Sequence, residues 1–199
     1  MEQLKSLTKL IEQFKKLPSV GVKSAERMAY AVLSWDKEDI EIFSKALLET
    51  KAKIHACPIC GILTEHDKCE ICSSLERDKS CLMVVCYQKD VNAFEKSETY
   101  HGLYHVLNGV LSIQNGISYE DLSIDELEKR ISSGDIKEVI LATEPTIDGE
   151  TTAQFIAKIL DKYHVTISRL GYGLPMGGHL DYADSLTLSK SLEGRTKLK

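Results

Sequence analysis

No apolar stretch in the sequence approaches the ~18 consecutive residues that a membrane-spanning helix needs. The opening MEQLKSLTKL lacks an apolar h-region and a small-residue cleavage site, so no secretory signal is expected and the cytoplasm, at the nucleoid, is the expected compartment. The phosphate loop G-x4-G-K-[ST] is absent. Gly21-Val22-Lys23-Ser24 has the lysine and serine without the glycine loop and strand that must precede them, which excludes ATP hydrolysis. There is no internal repeat and no low-complexity segment. Nor is there an excess of positive charge: 25 Lys and Arg against 30 Asp and Glu leave a net charge of −5. On that balance alone, nucleic acid is a poor ligand. What remains is the composition of an ordinary globular chain, 43% hydrophobic and 28% charged, with 199 residues for one large or two small domains.

Among the residues present, the cysteines speak first. Cys57-Pro58-Ile59-Cys60 and Cys69-Glu70-Ile71-Cys72 are two C-x2-C pairs separated by a short loop. A closed Zn2+ site takes four tetrahedral ligands, and thiolates at this spacing supply two from one tight turn. Gly61, without a Cβ, suits the turn under the metal. Two disulfides are the competing arrangement; within C-x2-C they belong to redox motifs, and two such motifs this close fit a metal better. His55 and His66 are nearby candidates, but four cysteines already fill the shell. Cys81 and Cys86 bracket an apolar run and are expected as small core residues. The knuckle is read as a joint between two modules.

The charge is unevenly spread. Lys5, Lys9, Lys15, Lys16, Lys23 and Arg27 face only Glu12 and Glu26 over residues 5–27, and residues 190–199 carry four bases against Glu193. A local positive patch binds phosphates even on an acidic protein, although a solvated helix face gives the same pattern. Leu4, Leu7, Ile11, Phe14 and Leu17 predict an amphipathic helix over 3–16, ended by Pro18. Ser24 is expected to cap a second helix, running to about residue 34, with Ala25, Met28, Ala29 and Val32 on its buried side. The Pro18-Ser19-Val20-Gly21 hairpin between them resembles a helix-hairpin-helix element, which offers backbone N–H groups to a DNA phosphate without reading bases. Lys23 and Arg27, four apart, share a face there and are the expected DNA contacts. An ordinary αα-hairpin is the alternative. The resembled pattern has glycine where this chain has Ser19. A third helix is expected over 36–53, with Ile40, Phe43, Leu47 and Ile54 as its apolar row.

Beyond residue 79 the pattern changes. Strands are expected at 81–86, 104–107, 138–142 and 165–170, and helices at 90–97, 118–132 and 149–163, the alternation of a mostly parallel sheet covered by helices. Glu144 follows the third strand, at the sheet end where ligands of open α/β folds bind. This segment resembles the Toprim signature, in which carboxylates at the ends of two strands hold Mg2+ for phosphoryl transfer. Here the first-strand acid falls at Cys86 and the second of the pair at Thr146. Only Glu144 matches, with Asp148 and Glu150 nearby. The expectation is a Toprim fold without its catalysis, with no catalytic residue, and with Glu144 and Glu150 either contacting a partner or stabilising a helix N-terminus. In Gly171-Tyr172-Gly173-Leu174-Pro175-Met176-Gly177-Gly178, the glycines are expected to make a packing or oligomer contact; Asp181 and Asp184 resemble a Walker B acid.

The order of these parts resembles the RecR family of bacterial recombination mediators over essentially the whole chain. Leu17-Pro18-x-Val20-Gly21, Tyr104-His105-Val106-Leu107-x-Gly109, Leu141-Ala142-Thr143, the Gly-Leu-Pro-Met-Gly-Gly-x-Leu-x-Tyr-Ala-Asp stretch and Leu192-Glu193-Gly194-Arg195 carry the resemblance. Ser19, Cys86 and His179 depart from it. It implies an α/β multi-module chain: a helix-hairpin-helix domain at 1–53, a four-cysteine zinc finger at 54–76, a Toprim domain at 77–172, and a Walker B-like oligomerisation segment at 173–199. It implies one structural Zn2+ on Cys57, Cys60, Cys69 and Cys72. It also implies a non-enzymatic DNA-repair protein that forms dimers or ring-like tetramers and works with RecO, and often RecF, to load RecA on single-stranded DNA. Lys23 and Arg27 would then face DNA, and Glu144 with its neighbours would face RecO. The enzyme alternative is a Mg2+-dependent nuclease or primase-like phosphoryl transferase.

Overall fold

A computed structural model describes residues 4–197. The chain divides into two compact units, Met1–Ile54 and His55–Lys199. The first holds three helices: α1 (Lys5–Phe14), α2 (Val22–Leu33) and α3 (Lys37–Lys53). α1 packs on α2, where Ala25 and Ala29 are fully buried because only small side chains let the helices approach closely. Residue 3, part of the helix expected over 3–16, lies outside the described residues. Ser24 does not cap α2. The turn after Pro18, with the Val20 N–H donating to Leu17 O at 3.2 Å, delivers the chain to the helix three residues earlier. Gly21 is therefore the N-cap residue and Ser24 already helical. α3 has acids in its first turn and lysines in its last, each favourable to the helix dipole. Its expected apolar row finds no cover: Ile40, Phe43, Leu47 and Ile54 remain between 37% and 59% exposed.

The second unit begins with the knuckle, where β1 (His55–Ala56) and β2 (Leu63–Thr64) pair antiparallel and the short α4 (Glu70–Ser73) carries Cys72. Then come β3 (Asp78–Val85), α5 (Gln88–Ser97), β4 (Gly102–Val106), α6 (Ile124–Ile131), β5 (Glu138–Ala142), α7 (Ile147–Leu160), β6 (Thr166–Arg169) and α8 (Ser185–Glu193). The sheet order is β4-β3-β5-β6, parallel throughout. Residues 118–132 do not form one helix. Ser118 and Asp121 bond each other's backbone around a 3-10 turn at Tyr119–Asp121, Leu122 is extended, and α6 starts only at Ile124. α7 starts two residues before the expected 149, because the Thr146 hydroxyl accepts the Gly149 N–H at 3.0 Å and caps it.

Alternation along the strands builds two cores. Leu82 and Val84 of β3, with Val139 and Leu141 of β5, meet α6 and α7 on one face. Met83 and Val85, with Tyr104, Val106 and Ala142, face Val91 of α5 and the knuckle cysteines on the other. The knuckle thus covers part of a sheet face, as a helix would. It is a piece of the α/β unit.

Candidate functional site

Cys57 and Cys60 reach the centre from the turn between β1 and β2, and Cys69 and Cys72 from the start of α4. Their four Sγ atoms lie within 4.8 Å of one another, and Cys57, Cys60 and Cys69 are buried. All four are free cysteines. The Cys60 and Cys69 sulfurs are 3.5 Å apart, against about 2.05 Å for a disulfide and about 3.8 Å between thiolates on a tetrahedral zinc. The donor set therefore fits Zn2+, and neither His55 nor His66 belongs to it. Backbone bonds hold the turn: Cys57 N–H donates to Ile62 O at 2.7 Å, Gly61 N–H to Cys57 O at 2.9 Å, and Val106 N–H, from the end of β4, to Cys60 O at 2.8 Å. Gly61 sits at φ +77°, and a Cβ there would lie 2.9 Å from Val106 O, so both conformation and space require glycine. Thiols so close compete for protons. Cys72 is drawn down to about 6, chiefly by its hydrogen bond with Cys60 and further by the Arg130 guanidinium. Cys69 is pushed up to about 11, chiefly by burial. Deprotonated, Cys57, Cys60, Cys69 and Cys72 would hold a divalent cation in place of those shared protons.

The hairpin presents a different chemistry. Ser19 has φ +62°, in the left-handed region that favours glycine, at the position where the resembled pattern has glycine. α2 begins without a side-chain cap, which leaves its first N–H groups to an outside acceptor. Gly21 has ordinary extended φ and ψ of −80° and 173°, and a Cβ there would meet nothing within 4 Å. Neither backbone nor packing within the chain demands glycine at that point. Lys23 and Arg27 are both exposed on α2.

Cys86, Glu144 and Thr146, the positions where the resemblance expects carboxylates, stand at or just beyond the ends of β3 and β5. Cys86 is fully buried and its thiol is pushed up to about 11, chiefly by burial, with Asp90 and Glu144 adding repulsion. Thr146 is spent as the cap of α7. Asp90 accepts the Tyr87 N–H at 2.8 Å. Glu144 accepts from Lys89 Nζ at 3.0 Å, and its backbone is fixed by Gly149, where a Cβ would fall 2.1 Å from Glu144 O. Among the described residues the four cysteines are the only group of three or more potential ligands. These donors, one paired carboxylate beside a protonated thiol and a capping hydroxyl, do not fit the several oxygen ligands that Mg2+ takes.

Beside this rim lies a cleft of about 570 Å3, lined among others by Thr143, Ile147, Glu150, Arg169, Tyr172 and Leu186. Arg169 donates to Leu141 O at 2.7 Å, Thr143 O at 2.9 Å, Tyr172 Oη at 2.9 Å and Glu150 Oε2 at 3.4 Å. Tyr172 also donates to Glu150, which holds that carboxylate below its usual range, ahead of the Arg169 charge. Asp184 accepts from Leu186 N–H and Thr187 N–H, both at 3.0 Å, and caps α8. Sequence reasoning missed Lys89, Arg130, Arg169 and Tyr172. The position of Arg169 at the end of a parallel strand was the one available signal, since strand ends are where such folds place polar networks.

Comparison with known families gives four matches in chain order: the RecR helix-hairpin-helix at residues 7–51, the RecR four-cysteine zinc finger domain at 54–74, the Toprim domain at 80–171 and the RecR C-terminal region at 173–196. The zinc finger match and the four convergent cysteines agree on one structural Zn2+. The domains together support a recombination mediator in DNA repair. A helix-hairpin-helix, a four-cysteine zinc finger, a Toprim unit and a RecR C-terminal region in succession mean that the chain belongs to the RecR family.

Proposed function

We propose that this chain is a DNA-binding mediator without catalysis of its own, acting with RecO and RecF to load RecA onto single-stranded DNA. The observation that carries the DNA reading is the start of α2: Gly21 caps it without a side chain and with open space where a Cβ would stand, so a phosphate can approach its first N–H groups. Lys23 and Arg27 supply the charge. The rim of Glu144 and Glu150, beside the 84%-exposed Ile147, is the proposed contact for RecO. A role without catalysis is supported by the donor set, which offers a hard cation one carboxylate already paired. Self-association, as a dimer or ring, is supported by the uncovered apolar row of α3.

The test is DNA binding as a function of salt. Each phosphate contact contributes about 0.7 to 0.9 to the log–log salt slope, so Lys23→Ala/Arg27→Ala is expected to flatten it by about 1.5 and weaken binding. Gly21→Ala is expected to weaken binding by more than the loss of about 1 kcal/mol or less in stability that alanine costs at an N-cap. Binding unaltered in both variants would overturn the assignment of this hairpin.

A further inference from the structure

We infer that the Toprim cation position in this chain has been taken over by the side chain of Lys89, whose ammonium does for Glu144 what a divalent ion does in a metal-binding member of the fold. This goes beyond the absence of catalysis, because it names what neutralises the remaining carboxylate and why the rim is independent of metal.

Four observations support it. Lys89 stands three residues beyond Cys86, in the first turn of α5, and reaches across the gap between the ends of β3 and β5 to Glu144 Oε1 at 3.0 Å. That gap is the switch point of the sheet, since β4 lies on one side of β3 and β5 on the other. The ammonium also lies 4.8 Å from the centre of the Tyr87 ring, which steadies a cation by its negative face. A second fixed cation backs the same place: Arg169 bonds the carbonyls of Leu141 and Thr143 immediately behind Glu144 and acts on the Cys86 thiol. Finally, the two positions that would supply further negative charge carry neutral groups, a buried thiol at Cys86 and a capping hydroxyl at Thr146. An incoming Mg2+ would meet two resident cations, Glu144 already paired with Lys89, and Asp90 already accepting the Tyr87 N–H, and Mg2+ gives up its water reluctantly.

The experiment uses the zinc-loaded full chain and Mn2+ as the probe, followed by electron paramagnetic resonance, with Glu144→Gln as control. The wild type is expected to show no Mn2+ binding that depends on Glu144. Cys86→Glu/Thr146→Asp should bind Mn2+, and adding Lys89→Ser should tighten that binding about tenfold or more, the size of one close charge removed. Equal affinity with and without Lys89 would overturn the inference, as would wild-type binding abolished by Glu144→Gln. Should the glutamate at the buried position 86 prevent folding, the single variant Lys89→Ser changes only an exposed side chain. Mn2+ broadening of the Glu144 amide resonance should then increase over wild type, and no increase would equally overturn it. DNA binding at the hairpin enters none of these outcomes, so this inference and the mediator reading fail separately.

Discussion

His105 illustrates how a single buried residue sets a pH limit. It is 1% exposed on β4, and its Nε2 lies 2.7 Å from Ser123 O. A carbonyl only accepts, so Nε2 carries the proton, and Nδ1 has no partner among the described residues. Burial pushes its pKa from the ordinary 6.5 down to about 4, the nearby Arg130 adding to the shift and Glu126 opposing it. The unfolded chain therefore takes a proton first as pH falls. The stability that neutral His105 preserves is complete above about 6.5 and is lost between 6.5 and 4. At about 1.4 kcal/mol per pH unit the loss amounts to about 3 kcal/mol. His105→Gln keeps a donor toward Ser123 O without the titration. Denaturant unfolding should show the stability difference between wild type and this variant shrinking by about that amount from pH 7 to pH 4, and a constant difference would refute the assignment. Ser19 shows what could be read in advance: the Pro-Ser-Val-Gly hairpin was legible, and so was the oddity of a serine in it, but its φ of +62° was not. Lys89 was illegible for a simpler reason. Its partner Glu144 is remote in sequence, and a charge on an exposed helix start looks the same whether or not a carboxylate waits across the sheet.

Elements were legible where one local signal dominates. The C-x2-C spacing is covalent geometry, and the apolar run before Cys86 has strand length and strand composition, so the metal centre and the parallel sheet both emerged from sequence. Residues 118–132 failed because apolar periodicity runs through a segment that the Ser118–Asp121 turn interrupts, and local side-chain bonding won over helix propensity. The packing of the knuckle was illegible for a different reason: nothing in its spacing announces that Cys60 O will accept from the end of β4. That bond, and the packing of Cys57, Cys60 and Cys69 against Met83, Val85 and Val106, make the metal part of the sheet's core. Removing zinc with a chelator, or Cys57→Ser, is therefore expected to destabilise the sheet itself. The expected readout is loss of amide protection in β3 and β4 together with the knuckle, with about one zinc released per chain. Unchanged protection in β4 after the metal has left would show that the knuckle is only an attachment.

At the scale of the whole molecule the decisive quantity is apolar surface without cover. α3 has no buried residue over seventeen positions, and Phe43, Leu47, Thr50, Lys51 and Ile54 line a shallow groove along it. Trp35 stacks edge-on against Phe43 at 5.5 Å and extends the patch. A helix with so much exposed apolar surface is stable when another surface meets it, because packing, more than propensity, holds helices in proteins. We therefore expect α3 to lie at a contact between copies of the chain, which agrees with the proposed dimer or ring. Leu47→Glu places a charge in the middle of the row, where burial against a second copy would be costly. Sedimentation or light scattering should show a shift toward the monomer in this variant at a protein concentration where the wild type is assembled. The zinc content should be unchanged, since the knuckle belongs to the other unit. An assembly state that Leu47→Glu leaves intact would move the contact away from α3. It would leave the exposed apolar residues of the C-terminal segment, Met176, Leu180, Leu186 and Leu192, as the surface through which copies meet.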